Sequence, residues 1–201
     1  MSPRPEAYFP HNYRFTIEEW HKMGEMGLFS PEKRLELIEG EIIEMGPIGS
    51  PHAGCVSWLN NFFSTQVACS AIVNMQNPIQ LGDSSEPQPD LTILHPEPNF
   101  YRNKHPTPKD ILLLIEVSDS TLTYDRNTKK HLYARYGIIE YWIVNIKEDC
   151  LEVYLNPKPE GYTLIHIMRR GEVARPSQLS HISVAVSDIL GLSKDADNDS
   201  K

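Results

Sequence analysis

Hydrophobic and polar positions follow two different periods along this chain, and both helices and strands are therefore predicted. Thr16 and Glu19 have the spacing of a capping box, which predicts the start of a first short helix. Two short runs with apolar positions, 35–38 and 41–45, flank a turn that contains Gly40. Two such runs around a glycine turn predict a β-hairpin.

A longer helix is predicted from Ser50 and Pro51, which suit the N-cap and the first turn. Apolar residues then recur at helical spacing and predict one buried face: Val56, Leu59, Phe63 and Val67. Three β-rich segments follow, at 71–81, 89–95 and 111–118.

The run 111–115 is apolar without alternation, which is typical of a strand covered on both faces and placed centrally in its sheet. Asp125 is predicted to cap a helix over 126–136, and a buried strand is predicted over 139–144. A second hairpin is predicted at the end, from 151–155 and 162–167. The expected fold is an α/β sandwich with the order helix, three strands, helix, strand, plus additional β-hairpins.

The chain has 201 residues, of which 40% are hydrophobic and 23% are charged. These are ordinary globular values, and they exclude a wholly disordered, collagenous or coiled-coil protein. We expect a flexible N-terminal segment at 1–12, one folded domain at 13–192 and an acidic disordered tail at 193–201.

The net charge of −8 excludes a generally basic surface, so a polyanion would have to meet a local patch. No apolar run is long enough to cross a membrane, and residues 1–10 lack the apolar stretch of a signal peptide. The three cysteines are far apart and form no CxxC pair, and no histidine pair has a metal-binding spacing. A cytoplasmic protein without a membrane partner is expected.

Two acids adjoin the apolar runs that predict core strands. Asp90 precedes one run, and Glu116 directly follows the unbroken run 111–115. Ionised carboxylates at such places need a partner, because their desolvation is costly. Mg²⁺ or Mn²⁺ suits two carboxylates with a carbonyl and waters. The alternative is that both acids simply face water at the ends of their strands.

A lysine near these acids would favour the metal site over the water-facing alternative, but the strand that ends at Glu116 does not supply one. Ser118 stands where an E-x-K arrangement after Glu116 would have lysine. On the next helix, Lys129 shares a stripe with three residues that the sheet must cover: Leu132, Tyr133 and Tyr136. Lys130 is turned about 100° away and is predicted to contact solvent or phosphate. Near a metal, Lys129 would stabilise or deprotonate the attacking water; alternatively, it is a surface lysine with its stem over the sheet.

Taken together, these residues resemble the Uma-two family of restriction-endonuclease-like proteins over roughly 14–192. The motifs that carry the resemblance are Pro89-Asp90, Ile115-Glu116-Val117-Ser118, Tyr124-Asp125-Arg126 with Lys129, Leu132-Tyr133-Ala134, Gly137, Glu140-Tyr141-Trp142, Glu36-Leu37-Ile38-Glu39-Gly40 and Ser50-Pro51-His52. The resemblance implies the PD-(D/E)xK nuclease fold, with Asp90 and Glu116 as metal ligands and Lys129 as a displaced catalytic lysine. It also implies DNA as the substrate and a homodimer.

Glu36 and His52 are weaker candidates. Glu36 either approaches the metal or pairs across the hairpin, and His52 either reaches a phosphate or is an ordinary helix-start residue. Tyr141 and Trp142 are assigned to the core. Several basic residues lie on the predicted helix and in the loop before residue 111. They form either a local DNA-binding patch beside the site or an ordinary solvated surface, and the sequence favours neither: Arg102, Lys104, Lys109, Arg126, Lys129, Lys130 and Arg135.

The function expected on these grounds is that of a metal-dependent endonuclease hydrolysing phosphodiester bonds in DNA. One alternative is a catalytically silent binding or regulatory protein that keeps the nuclease fold. Another is an enzyme acting on a small phosphorylated molecule, which a closed and narrow pocket would favour.

Overall fold

The structure is a computed structural model that describes residues 11–191. Most of the expected N-terminal segment and the expected acidic tail at 193–201 lie outside the described residues. The domain boundaries therefore stay a prediction.

The first helix, α1 (Ile17–Glu25), begins with the predicted capping box. The Glu19 amide donates to the Thr16 hydroxyl at 3.2 Å, and the Thr16 amide donates to the Glu19 carboxylate at 2.9 Å. The predicted hairpin follows as β1 (Leu35–Ile38) and β2 (Glu41–Glu44). Both residues of its turn, Glu39 and Gly40, have positive φ, as a tight two-residue turn requires.

One six-stranded sheet forms the centre of the molecule, in the order β3-β4-β5-β6-β7-β8. Its strands are β3 (Ile72–Met75), β4 (Leu91–Leu94), β5 (Ile111–Ser118), β6 (Glu140–Asn145), β7 (Cys150–Lys158) and β8 (Gly161–Met168). β5 and β6 are parallel and all other neighbours are antiparallel, so the sheet is mixed. All eight residues of β5 are buried, which confirms the central strand that the unbroken apolar run predicted.

β3 is shorter than the predicted segment 71–81. Gln76 has a φ of 50°, which turns the chain out of the sheet directly after Met75. Pro78 follows and has no amide hydrogen for a strand ladder. The remainder of the segment runs along the hairpin side of the molecule, where Glu86 bridges to Leu37 of β1.

Helices cover the sheet on its two faces. On one face lies α2 (Ser50–Val67), whose predicted apolar stripe is buried with Trp142 in one core cluster. Gly49 is the N-cap residue and no side chain caps this helix, so the prediction of Ser50 as the cap was one residue off. The other face is covered by a helical segment made of α3 (Leu122–Tyr124), a π-helical turn (Asp125–Lys129) and α4 (Lys130–Arg135).

Asp125 does not cap this second helix, contrary to the prediction. The helix begins earlier, at Leu122, and Asp125 lies inside it, where its side chain is buried. The hydroxyls of Ser118 and Thr121 each donate to the Asp125 carboxylate at 2.7 Å. Those two bonds hold the carboxylate in the interior, so it does not bond to the helix amides.

The predicted second hairpin is present as β7 and β8, and a short pair, β9 (Val173–Ala174) and β10 (Val184–Ala185), leads to α5 (Val186–Leu190). Within the described residues, no helix is long and apolar enough to cross a membrane. The predicted α/β class and the order helix, three strands, helix, strand are confirmed.

Candidate active site

Asp90 and Glu116 meet because β4 and β5 are antiparallel neighbours in the sheet. Leu91 is paired with Ile115, so the next position on each strand brings the two acids together. The Asp90 amide donates to Glu116 Oε2 at 3.3 Å, and the Val117 amide donates to Asp90 Oδ2 at 2.9 Å. Both acids are buried.

Lys129 reaches the same place from the π-helical turn. Its Nζ lies 2.9 Å from Glu116 Oε1 and 3.3 Å from Glu36 Oε1. Only 2% of its side chain is exposed, so it is not a surface lysine. The Tyr133 hydroxyl, one helical turn further on, donates to the same Glu116 oxygen at 2.7 Å.

Glu36 faces this cluster and does not pair across its hairpin. Its Oε1 accepts hydrogen bonds from Lys129 and from the Gln88 amide at 3.2 Å. Its other oxygen, Oε2, is buried and has no partner among the described residues. Of the two readings that the sequence left open for Glu36, the geometry therefore supports proximity to the candidate metal ligands.

His52 lies in the first turn of α2 and holds Asp90. Its Nε2 is 2.9 Å from Asp90 Oδ2, and since a carboxylate only accepts, Nε2 is the donor. Its Nδ1 is buried without a partner in the described part of the chain. The Gln76 side-chain amide, through Nε2, donates to the other oxygen, Asp90 Oδ1, at 3.3 Å. Oδ2 thus has two short hydrogen bonds, whereas Oδ1 has one long one and is the more available for a ligand.

A cavity of about 190 Å³ is lined by five of these residues: Glu36, His52, Asp90, Glu116 and Lys129. The segment 45–49 forms one side of it and the segment 119–121 forms another. Arg34 stands at its edge, where the guanidinium donates to the Gly46 carbonyl at 3.1 Å. The space is large enough for a phosphate group with several waters.

The two acids of the pair titrate differently. Burial raises the pKa of Glu116 to about 8, although the charge of Lys129 acts against it. Burial also acts to raise the pKa of Asp90, but the hydrogen bond and charge of His52 and the Val117 amide outweigh it and lower that pKa. Opposite shifts in adjacent groups are typical of functional sites.

Lys129 stays protonated. Burial acts to lower its pKa, but the negative charges of Glu116, Glu36 and Asp125 outweigh burial and raise the pKa well above the usual value. The sequence left two roles open for this lysine, as a charge stabiliser or as a base. A lysine with a raised pKa suits the first role, since it cannot readily accept a proton from water.

The residues present fit a hard divalent cation. Four buried carboxyl groups line the cavity, Glu36, Asp90, Glu116 and Asp125, and Lys129 is the one buried cationic side chain among the described cavity residues. The unpartnered Glu36 Oε2 and the lightly used Asp90 Oδ1 leave oxygen donors available. Asp90 and Glu116 would hold Mg²⁺ with several waters, as this ion usually binds through one or two carboxylates.

Sequence reasoning missed three polar groups of the site. Gln76, Gln88 and the Tyr133 hydroxyl all contact the acids, and Tyr133 was assigned only to the core stripe. That stripe was the available signal, because Tyr133 shares the face of Lys129. Lys130, which was predicted to contact solvent or phosphate, is half-buried, and its Nζ lies 5.5 Å from the Tyr154 ring centroid.

Two arginines of the possible basic patch, Arg126 and Arg135, are paired with acids of this chain. Arg126 forms ion pairs with Glu148 and Glu152, and Arg135 forms one with Glu39. Tyr141 and Trp142 are fully buried, as predicted. The solvated-surface reading accounts for these arginines better than a DNA-binding patch.

Comparison with known proteins places the fold and the family. The family described as "Uma2: Putative restriction endonuclease" matches residues 17–187. A crystal structure of a putative nuclease belonging to DUF820 from Anabaena variabilis superposes with a TM-score of 0.70, covers 88% of this chain and 97% of that one, and is 19% identical. That similarity concerns the fold alone. No curated protein gives a significant match. The match over most of the chain shows that this protein belongs to the Uma2 family, described as putative restriction endonucleases.

Proposed function

We propose that this protein is a metal-dependent endonuclease that hydrolyses phosphodiester bonds in DNA. Asp90 and Glu116 are the proposed ligands of Mg²⁺ or Mn²⁺, Lys129 is the proposed catalytic lysine, and Glu36 contributes a further acidic group. The observation that carries the proposal is the buried contact between Lys129 Nζ and Glu116 Oε1, 2.9 Å long, beside Asp90 on the neighbouring strand.

Each side chain has a distinct task in this proposal. A bound divalent cation supplies Lewis-acid chemistry and a reactive water at neutral pH. Lys129 holds a positive charge beside that place, which stabilises negative charge developing on a phosphoryl oxygen. His52 and the Val117 amide hold Asp90 Oδ2, so Oδ1 is the oxygen of Asp90 left for the metal ion. Glu36 accepts a hydrogen bond from Lys129, and Tyr133 donates one to Glu116. These two bonds hold the Lys129 and Glu116 side chains in place.

The cavity limits how a nucleic acid strand can approach. A volume of about 190 Å³ accommodates one phosphate group, so the rest of the nucleic acid would lie outside the cavity, across its mouth. Arg34 at the edge and Lys129 on the floor are the cationic groups that the cavity offers to a phosphodiester. Because the net charge is −8, we expect weak binding that depends strongly on salt.

The decisive comparison is between the two adjacent lysines. Lys129→Met keeps the length and burial of the side chain but removes its charge, and we expect cleavage to fall about 10²–10³-fold, the usual effect of losing one charge-stabilising donor. Lys130→Met is the matched control, because Lys130 contacts Tyr154 outside the cavity, and it should cleave like the wild type. The measurement is single-turnover cleavage of single-stranded, duplex and branched DNA with Mg²⁺ or Mn²⁺.

Calorimetry separates the proposal from the silent alternative. Wild-type protein should bind Mg²⁺ or Mn²⁺ with a heat that Asp90→Ala abolishes, while Lys129→Met keeps it because lysine is not a ligand. Equal and negligible heats for wild type and Asp90→Ala, together with no cleavage of any substrate, would favour a silent binding protein with a nuclease fold. Full activity in Lys129→Met would remove the lysine from the mechanism.

A further inference from the structure

A second cluster of metal-ligating side chains lies outside the active-site cavity. His21, Glu86 and His105 each offer one ligand atom, and these atoms all lie within 4.8 Å of one another. His21 Nε2 is 2.9 Å and 3.0 Å from the two oxygens of Glu86. The rings of His21 and His105 stand edge to face with their centroids 6.3 Å apart.

The three residues come from separate segments that backbone hydrogen bonds hold together. At the start of α1, the Ile17 amide donates to the Asp83 carbonyl at 2.8 Å, and His21 lies one turn further on the same face as Ile17. The Glu86 amide donates to the Leu37 carbonyl at 2.7 Å. The loop that carries His105 is held by the Gln80 amide, which donates to the Pro106 carbonyl at 2.8 Å.

Glu86 is a buried acid with few hydrogen bonds to offset the cost of its desolvation. It is only 5% exposed, and within the described residues its carboxylate bonds to the His21 ring alone. A buried carboxylate normally needs a cation and several hydrogen bonds to offset its desolvation. The His21 side chain is 46% exposed, so a metal ion can reach the cluster from solvent.

From this geometry we infer that His21, Glu86 and His105 form a zinc-binding site, which goes beyond the proposed function. Two imidazoles and one carboxylate are a donor set that Zn²⁺ accepts in tetrahedral geometry, with a water in the fourth position. Bonds of about 2.0–2.2 Å place tetrahedral ligands roughly 3.4 Å apart. The ligand atoms lie up to 4.8 Å apart, so closing the cluster requires shifts of up to about 1.4 Å, which the exposed His21 and the half-buried His105 side chains can supply around the buried Glu86.

Another triad within ligand distance, Glu148, Cys150 and Glu152, does not compete equally. Both of its acids already form ion pairs with Arg126, at 2.7 Å and 2.6 Å. The carboxylate-lined cavity differs in another way, because its oxygen donors suit a hard cation such as Mg²⁺. Only the His21 cluster combines two imidazoles with a carboxylate that lacks other partners in the described chain.

The site has a structural consequence for the nuclease centre. Glu86 lies on the same extended segment as Gln88 and Asp90. Zinc bound at Glu86 ties this segment to α1 on one side and to the His105 loop on the other.

The test uses the full chain, freed of metal with a chelator and titrated with Zn²⁺ and with Co²⁺. We expect one Zn²⁺ bound at this cluster, a rise in melting temperature, and the intense visible absorption of tetrahedral Co²⁺. His105→Ala and Glu86→Gln should each weaken binding at least tenfold and remove the absorption, since a ligand matters at least as much as the groups that orient it. His181→Ala, which changes an exposed histidine elsewhere, should bind like the wild type.

Asp90→Ala separates this site from the nuclease centre, because it should keep the Co²⁺ absorption while losing Mg²⁺ binding. Circular dichroism checks the fold of Glu86→Gln, and His105→Ala decides the matter if that variant is unstable. The inference is overturned if the wild type binds no Zn²⁺, if His105→Ala binds it as tightly as the wild type, or if Asp90→Ala removes the Co²⁺ absorption. None of these readouts uses cleavage, so they are independent of the proposed function.

Discussion

At the scale of single residues, buried charges in this protein are held by partners from distant parts of the chain. Glu152 of β7 is 2% exposed and is bound by Arg126 from the helical segment, with hydrogen bonds at 2.6 Å and 3.0 Å. Tyr154 and Asn145 donate to the same carboxylate at 2.6 Å and 2.8 Å. This network joins the helical segment that carries Lys129 to the sheet.

Removing Arg126 should destabilise the fold. Arg126→Ala leaves a buried Glu152 carboxylate without its cation, and we expect a loss of roughly 2 kcal/mol in the free energy of unfolding. This is less than the loss at a fully buried pair, because Arg126 is 31% exposed and water screens it. Urea unfolding at pH 7 measures the effect. Arg102→Ala, an exposed change in the 95–110 loop, should stay within about 0.5 kcal/mol of the wild type.

Glu152 should also make stability depend on acid pH. Burial acts to raise its pKa, but the hydrogen bonds from Arg126, Tyr154 and Asn145 outweigh burial and lower it. A lowered folded-state pKa contributes stability above the unfolded pKa of about 4.3, and that contribution is lost as the pH falls through the folded value. Between pH 5 and pH 3, the free energy of unfolding should therefore fall less steeply in Glu152→Gln than in the wild type. Equal slopes would contradict this assignment.

At the scale of elements, the β1–β2 hairpin positions Glu36, and its turn depends on glycine. Gly40 has a φ of 76°, and a Cβ there would lie 2.7 Å from the Arg14 Cβ and 2.9 Å from the Phe15 amide nitrogen. Because the backbone at Gly40 lies so close to Arg14 and Phe15, the Phe15 amide donates to the Gly40 carbonyl at 2.9 Å. The hairpin is thereby joined to the segment that precedes α1.

A glycine pair tests this role of the turn. Gly40→Ala should cost more than the about 1–2 kcal/mol of a left-handed backbone conformation, because the clash with Arg14 and Phe15 adds to it. Gly54→Ala should instead stabilise by about 0.5–1 kcal/mol, since Gly54 lies within α2 with open space around it. Urea unfolding of the two variants and the wild type measures both changes in the free energy of unfolding. A neutral Gly40→Ala would show that the turn relaxes without loss.

At the scale of the whole molecule, the sheet ends at β8. Within the described residues no strand pairs with its outer edge. Ile165 and Ile167 lie on one side of this strand and are 50% and 57% exposed, and Leu164 is 39% exposed. An open edge with exposed apolar side chains is suited to pairing with another strand.

We propose that two copies of the chain pair through β8 around a two-fold axis, which forms one continuous sheet. Light scattering after gel filtration should then give twice the 23.0 kDa of one chain. Replacing Ile165 and Ile167 together by lysine should yield monomers. Leu28→Lys, at an exposed apolar position away from β8, is the control and should leave the dimer intact. A monomeric wild type, or a dimeric double variant, contradicts the proposal.

The order and nature of the main elements could be predicted from the chain alone, because local periodicity determines them. The capping box of α1, the stripe of α2, the unbroken run of β5 and both hairpins carry their signals within a few residues. The proximity of Lys129 to Glu116 followed from helix phase. The start of the helical segment did not, because the Asp125 carboxylate is held inside the protein by Ser118 of β5 and by Thr121, the N-cap residue of α3.

The tertiary structure decided what local patterns do not contain. Glu36 and His52 each had two readings until the fold placed them against Lys129 and Asp90. His21, Glu86 and His105 have no motif spacing, and they meet only because backbone bonds bring three separate segments together. Short-range hydrogen bonding and hydrophobic periodicity are properties of neighbouring residues, and the sequence alone determined the elements that depend on them. A functional site consists of side chains from different elements. Which side chains meet there was therefore decided only by how the sheet and the helices pack together.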